Sequence, residues 1–217
     1  MICGVDEAGR GPVMGPLVIA AVMVDTDAGL KELKVKDSKL LTRQKREALA
    51  PRIREVARVE VKVLSAEHID KFRTDDSLNM LEAMAFAELI EIMSPDLAIV
   101  DAADVVEERF GKMIMDNMRC RPEMVCKHKA DVNYPVVSAA SIIAKTVRDG
   151  IMDDIGKELG QPVGSGYPND ETTRSFLEKW IRENKDFPPH TRRSWRTAKE
   201  IYSLSSVTRL TDWTDNR

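Results

Sequence analysis

The stretch 2–16, ICGVDEAGRGPVMGP, constrains this chain more than any other. It begins as a strand, because Ile2, Cys3 and Val5 are apolar and suit extended backbone. Two carboxylates, Asp6 and Glu7, then stand where the apolar run would continue, and a Gly-Arg-Gly-Pro turn follows at once. Two like charges about 4 Å apart repel by roughly 4 kcal/mol at an effective dielectric of about 20. A fold that buries this strand end needs positive charge there, and hard carboxylate oxygens suit Mg²⁺ or Mn²⁺. The plainer alternative is a charged turn closing an edge strand. Gly9, Gly11 and Gly15 are spaced G-x-G-x-x-x-G with Pro12 inside, which departs from the dinucleotide fingerprint, and no Gly-Lys-Ser/Thr follows. The next apolar run, Leu17 to Val24, is a second strand, so the loop joins two antiparallel strands. Its glycines allow a ligand close to the backbone, with Arg10 projecting from the middle.

The remaining chain alternates between the two periodicities. Thr42 caps a helix to about Val56, which Pro51 bends or interrupts. Val59 to Leu64 alternates as a third strand. Ser65 caps a short helix to about Phe72. Ser77 caps a stronger one to about Met93, with Leu78, Leu81, Met84, Ala85, Leu89 and Ile92 on its core stripe. Its methionines are core material. Leu97 to Val100 is a short apolar run, as in a strand buried on both faces, and ends in Asp101. A helix over about 105–118, with Asp104 as its cap, precedes a fifth strand at Met124 to Lys127. A long helix runs from Ser138 to about Leu159. A loop with three glycines follows, then a helix capped by Asp170 and a basic-aromatic segment with Arg192, Arg193, Trp195 and Arg196. That segment is either a nucleic-acid patch or a solvated basic turn around a core tryptophan. The tail beyond about Val207 is polar and expected to fray. The pattern predicts one mixed α/β sheet of five strands flanked by helices. Periodicity does not set the strand order.

Sites in such sheets form at the carboxyl ends of strands. Asp6 and Asp101, ninety-five positions apart, both follow a strand's last apolar residue, so parallel neighbouring strands would bring them together. A cap or turn is the plainer role for Asp101. A two-metal cluster needs a further acid beside Glu7, and Asp131 and Asp149 are the candidates. Asp131 precedes the long helix. Asp149 lies about 16 Å along it at about 1.5 Å per residue, where it would pair with Lys145 one turn earlier. Acids without a His or Cys cluster point to Mg²⁺ or Mn²⁺ rather than zinc. His68, His128 and His190 are too scattered for a metal motif, although His128 lies near the expected site. Such a site suits phosphodiester hydrolysis, in which metal ions lower the pKa of an attacking water and stabilise the leaving oxygen.

DEAGRGP at 6–12 resembles the N-terminal motif of type 2 ribonuclease H, the archaeal and bacterial RNase HII group. Matching segments follow in the same order: DSK at 37–39, a strand ending in Asp101, KADVNYPVVSAASIIAKTVRD at 129–149 and GSGYP at 164–168. The resemblance spans residue 1 to about 195. It implies the ribonuclease H fold, with a catalytic domain over 1–159 and a helical C-terminal extension over 160–217. It implies Asp6, Glu7, Asp101 and Asp131 as the catalytic metal ligands, and Gly9, Arg10, Gly11, Lys39 and Tyr167 as substrate contacts. Tyr167 would pack on the deoxyribose beyond a ribonucleotide. The implied activity is metal-dependent cleavage of the RNA strand of RNA–DNA hybrids, including cuts 5′ of ribonucleotides in duplex DNA. The ends left are 3′-hydroxyl and 5′-phosphate, with roles in removing RNA primers and misincorporated ribonucleotides. A junction resolvase of similar fold and a non-catalytic hybrid-binding protein are the rival readings. Cleavage of four-way junctions separates the first, and metal-dependent turnover the second.

A net charge of −3 places any nucleic-acid surface in a local patch rather than in bulk charge. Hydrophobic content of 43% and charged content of 32% are those of an ordinary soluble chain, and no apolar run is long enough to span a bilayer. Cys3, Cys120 and Cys126 lack C-x-x-C spacing and are expected to be reduced and incidental, as in a cytoplasmic protein. A monomer is expected. A sliding clamp is a possible partner, although the tail SLSSVTRLTDWTDNR shows no clear clamp-binding motif.

Overall fold

Leu17–Val24 is apolar at every position because it has no solvent face: all eight residues are buried. The computed structural model of the chain describes residues 1–35, 41–73 and 77–206. In it this strand, β2, pairs antiparallel with β1 (Ile2–Ala8) on one side and with β3 (Arg58–Leu64) on the other. β1 pairs parallel with β4 (Leu97–Asp101), and β4 pairs parallel with β5 (Glu123–Lys127). The order is β3-β2-β1-β4-β5, a five-stranded mixed sheet.

Helices cover both faces. α1 (Ala28–Glu32) and α2 (Arg43–Val56) come before β3, while α3 (Ala66–Phe72) and α4 (Leu78–Met93) come after it. α5 (Glu107–Asp116) links β4 to β5, and α6 (Ala130–Asn133) leads into the long α7 (Pro135–Glu158). Cys3 and Val5 of β1 join a core with Phe86 of α4 and Phe110 of α5, whose rings meet edge to face at 5.4 Å. Ala8, Val18 and Ala20 join the opposite core with Val137, Ala140 and Ile143 of α7. Gly4 permits that layer, since a Cβ on it would lie 2.4 Å from the Val136 backbone. α8 (Glu171–Asn184) and α9 (Arg196–Ser206) build a third core on Val13 and Met14 of the loop after β1 and on Met152 and Ile155 of α7.

Thr42, Ser65, Ser77 and Asp170 each accept a backbone N–H as helix caps, as their positions predict. Other expectations need correction. Pro51 does not break α2, which runs on from Arg43 to Val56. α7 begins at Pro135, where a missing N–H costs nothing, rather than at Ser138. α5 starts two residues late: its N-cap is Val106, and Asp104 instead accepts the Val106 N–H at 3.0 Å from the preceding turn. On α4, Met84 and Ile92 are 43% and 47% exposed, and Phe86, Ile90 and Met93 carry the core face. Among the described residues no helix is long and apolar enough to cross a membrane. The three cysteines are free, and burial pushes the Cys3 thiol up to about 12.

Candidate active site

The parallel register of β1 on β4 pairs Val5 with Val100, so the next residues, Asp6 near the end of β1 and Asp101 at the end of β4, stand side by side. Side chains alternate along a strand. Cys3 and Val5 face α4, and Ala8 faces α7. Asp6 therefore shares the α7 side, where Ser141 of α7 hydrogen-bonds its carboxylate. Asp101 accepts the Ala130 N–H at 3.0 Å and so draws the α6 turn onto the end of β4. Glu107 holds the same turn from outside, accepting from His128 N at 2.7 Å and from Lys127 Nζ at 2.9 Å. Lys129 takes φ 56° to enter α6, which points Asp131 inward.

Asp6, Asp101 and Asp131 thereby offer carboxylate oxygens that all lie within 4.8 Å of one another. Asp6 and Asp131 are buried. Burial, then the neighbouring Asp101 charge, raises the Asp6 carboxyl from 3.8 to about 7. Glu7 belongs to the opposite pleat and is not one of that trio. Burial and the charges of Asp6 and Asp101 hold its carboxyl well above the usual range, with Arg10 opposing them. Three converging hard-oxygen donors, with Asp6 destabilised by burial and by the Asp101 charge, fit a divalent cation of the Mg²⁺ or Mn²⁺ kind.

Asp149 stands apart from the trio. Its partner is Arg46 of α2 at 2.8 Å rather than Lys145, which donates instead to Ser141 Oγ at 2.7 Å. Packing of α2 on α7 brings in a guanidinium that helix spacing alone does not reveal. His128 is exposed, with Nε2 3.2 Å from the Val105 carbonyl.

A groove beside the acids is lined by Glu7, Gly9, Arg10, Lys145, Arg148 and Tyr167, among others. Gly9 has φ 91°, and a Cβ there would lie 2.3 Å from Arg148 Nε and 2.5 Å from the Pro16 carbonyl. At Gly11 a Cβ would meet only the Tyr167 ring, at 3.7 Å. The Tyr167 ring lies against the Arg148 guanidinium, 5.3 Å from its centroid. Lys39 falls outside the described residues.

Three parts of the site escaped the sequence. Arg192 is neither a solvated cation nor part of an open patch: it is fully buried and forks onto the loop after β1. It donates to the carbonyls of Gly15 at 3.0 Å, Arg10 at 3.0 Å and Gly9 at 2.5 Å. Burial, reinforced by the Arg148 charge, lowers its pKa to about 9. A trans peptide directs its N–H opposite its C=O. With the Gly9 and Arg10 carbonyls turned in toward Arg192, the N–H groups of Arg10 and Gly11 point away from it. Buried Arg148 donates to the Ser165 carbonyl at 2.9 Å and the Pro16 carbonyl at 3.3 Å, tying the loop to α7 and to the Tyr167 segment. Arg10 does not simply project outward. Its guanidinium turns to α4, pairs with buried Glu82 and donates to Asn79 Oδ1 at 2.6 Å. The one sequence signal for the last contact is a carboxylate at position 82 amid apolar residues of a buried helix face.

A family model described as ribonuclease HII matches residues 3–198. A ribonuclease HII from Methanococcoides burtonii is 45% identical over 209 residues, covering 92% of this chain and 98% of its own. The ribonuclease H2 of Pyrococcus horikoshii superposes with a TM-score of 0.87 at 38% identity, covering 95% of this chain and 99% of its own. The ribonuclease HII of Archaeoglobus fulgidus, solved in complex with PCNA, gives 0.88 at 37% identity, covering 98% and 100%. The chain belongs to the ribonuclease HII family, metal-dependent ribonucleases that cleave the RNA strand of RNA–DNA hybrids.

Proposed function

We propose that this ribonuclease cuts on the 5′ side of ribonucleotides, both in RNA–DNA hybrids and singly embedded in duplex DNA, leaving 3′-hydroxyl and 5′-phosphate ends. The observation that carries this reading is the junction of two features. Three aspartates converge within 4.8 Å at the strand ends, and beside them a loop has its Gly9 and Arg10 carbonyls drawn inward by Arg192. The loop's outward amides suit a ribose hydroxyl and the adjoining phosphate. Tyr167 closes the groove and offers a flat apolar face to the following sugar.

Asp6, Asp101 and Asp131 hold the divalent cations, with Glu7 as the fourth acid. The cations, when bound, supply the Lewis acidity that activates water and stabilises the leaving oxygen. Asp101 and Asp131 are held for this by the α6 turn, and Asp6 by Ser141. Lys145, which donates to Ser141, adds positive charge to the groove wall. No side-chain nucleophile is required. Of the extension over 160–217, the described residues 160–206 complete the substrate side of a domain spanning 1–159. The Archaeoglobus relative's PCNA complex makes a sliding clamp a proposed partner here too.

The test is a duplex with one ribonucleotide, incubated with Mg²⁺, with Mn²⁺ and with excess EDTA. A single cut 5′ of the ribonucleotide is expected with either metal and none with EDTA. An all-DNA duplex stays intact. Full activity in EDTA, or a cut on the 3′ side, overturns the reading.

A further inference from the structure

Glu82 lies in the first turns of α4, on the face packed against the sheet, and its side chain is fully buried. An isolated buried carboxylate costs several kcal/mol, so it persists only with a partner. The cation against it is Arg10, in the middle of the loop that follows the strand bearing Asp6 and Glu7, in ion-pair contact although neither Glu82 oxygen accepts a hydrogen bond. Asn79, three residues earlier on the same helix face, accepts a second bond from the Arg10 guanidinium at 2.6 Å. The Asn79 amide then donates to Asp104 Oδ2 at 2.7 Å, and Asp104 is paired with Arg109 and accepts the Val106 N–H. One face of α4 thus reaches both loops that flank the acids.

The loop is gripped at two levels. Arg192 of the C-terminal segment holds its carbonyls, and Glu82 of α4 contacts its side chain. Arg10 also has a competing attraction, because the Glu7 carboxylate acts on it from nearby. Without Glu82 the Arg10 guanidinium would be drawn toward Glu7, leaving the Arg192 bonds as the restraint on the loop.

We infer that Glu82 is a positioning residue for substrate recognition: from its buried site it pairs with half-buried Arg10 and steadies the loop whose backbone amides face the ribonucleotide. This rests on the function proposed above. Glu82 touches no substrate. Its effect falls on binding common to ground and transition states, so it appears in KM rather than in kcat.

Glu82→Gln keeps the volume and one acceptor but removes the charge. Steady-state cleavage of a duplex with one ribonucleotide is measured at saturating Mg²⁺ for wild type, Glu82→Gln, Arg10→Ala and the double variant, with melting temperatures in parallel. The expected result is a KM raised at least tenfold in Glu82→Gln, with kcat within about twofold and a melting temperature within a few degrees of wild type. The double variant should match Arg10→Ala alone, because Glu82 acts through Arg10. A wild-type KM in folded Glu82→Gln overturns the inference. So does a further loss in the double variant beyond Arg10→Ala, or a loss confined to kcat. Failure of the wild type to cut this duplex would instead overturn the proposed function.

Discussion

Gly9 and Gly11 stand two residues apart and do different work. Gly9 has φ 91° and no room for a Cβ, so its requirement is internal to the fold. Gly11 has neither constraint, since its φ is not in the left-handed region and only the Tyr167 ring lies near. In the function proposed above, its lack of a side chain leaves room for the substrate backbone. Gly9→Ala should lower stability by about 1–3 kcal/mol, read as a fall in melting temperature. Gly11→Ala should melt within a few degrees of wild type yet bind an RNA–DNA hybrid at least tenfold more weakly. Tight binding by folded Gly11→Ala would show that the amide face of the loop is not the contact. At Asp101 the balance is electrostatic. Asp101→Asn removes the repulsion that Asp101 exerts on Asp6 and Glu7, so the metal-free variant should melt no lower than metal-free wild type. Its cleavage rate should fall by orders of magnitude. A lower melting temperature would count against the repulsion argument.

Among elements, α6 and α7 separate two acids that lie in one sequence block. Asp131 is carried to the strand ends by the Ala130 N–H bond to Asp101. Asp149, in the fourth turn of α7, is taken up by Arg46 and joins α7 to α2. Asp131→Asn should therefore reduce metal-dependent cleavage by at least a hundredfold with little change in melting temperature. Asp149→Asn should act mainly through stability, by about 1 kcal/mol for a partly exposed pair, with most of the turnover retained. Abolished turnover in well-folded Asp149→Asn beside an active Asp131→Asn would reverse the assignment. In α2, Pro51 interrupts nothing. It lies outside the buried face of α2, which is formed by Ala50 and Ile53, and the helix continues past it.

At the scale of the whole molecule, the acid cluster links stability to pH. Folding raises the Asp6 carboxyl from 3.8 to about 7, and Glu7 shifts in the same direction. Folding therefore favours the protonated forms. The cost of burying the ionised forms is present above the raised values and falls away as pH drops toward the unfolded ones. Metal-free protein should melt at a higher temperature at about pH 6 than at about pH 8. Saturating Mg²⁺ should remove or reverse that difference, because the cation favours the ionised carboxylates. Thermal melts at the two pH values, with and without metal, decide this. A metal-free melting temperature that rises with pH would show that repulsion among the acids does not control stability.

Much of this protein was legible in the chain because local physics decides it. Strand and helix periods, the caps at Thr42, Ser65, Ser77 and Asp170, and acids placed just after apolar strands are all short-range signals. Resemblance along the DEAGRGP and KAD segments carried the ligand set further than spacing could. The strand order β3-β2-β1-β4-β5 was not legible, because pairing is a choice among distant segments of similar pattern. Nor were the partners of the buried charges. Arg192 meets the carbonyls of Gly9, Arg10 and Gly15 across some 180 residues, and Glu82 meets Arg10 across the face of a sheet. Sequence alone determined that carboxylates stand at the ends of two apolar strands and that glycines follow the first pair. The tertiary structure decided which of those acids share one face and which buried cations hold the loop, because burial makes a charge seek its partner in space, regardless of separation along the chain.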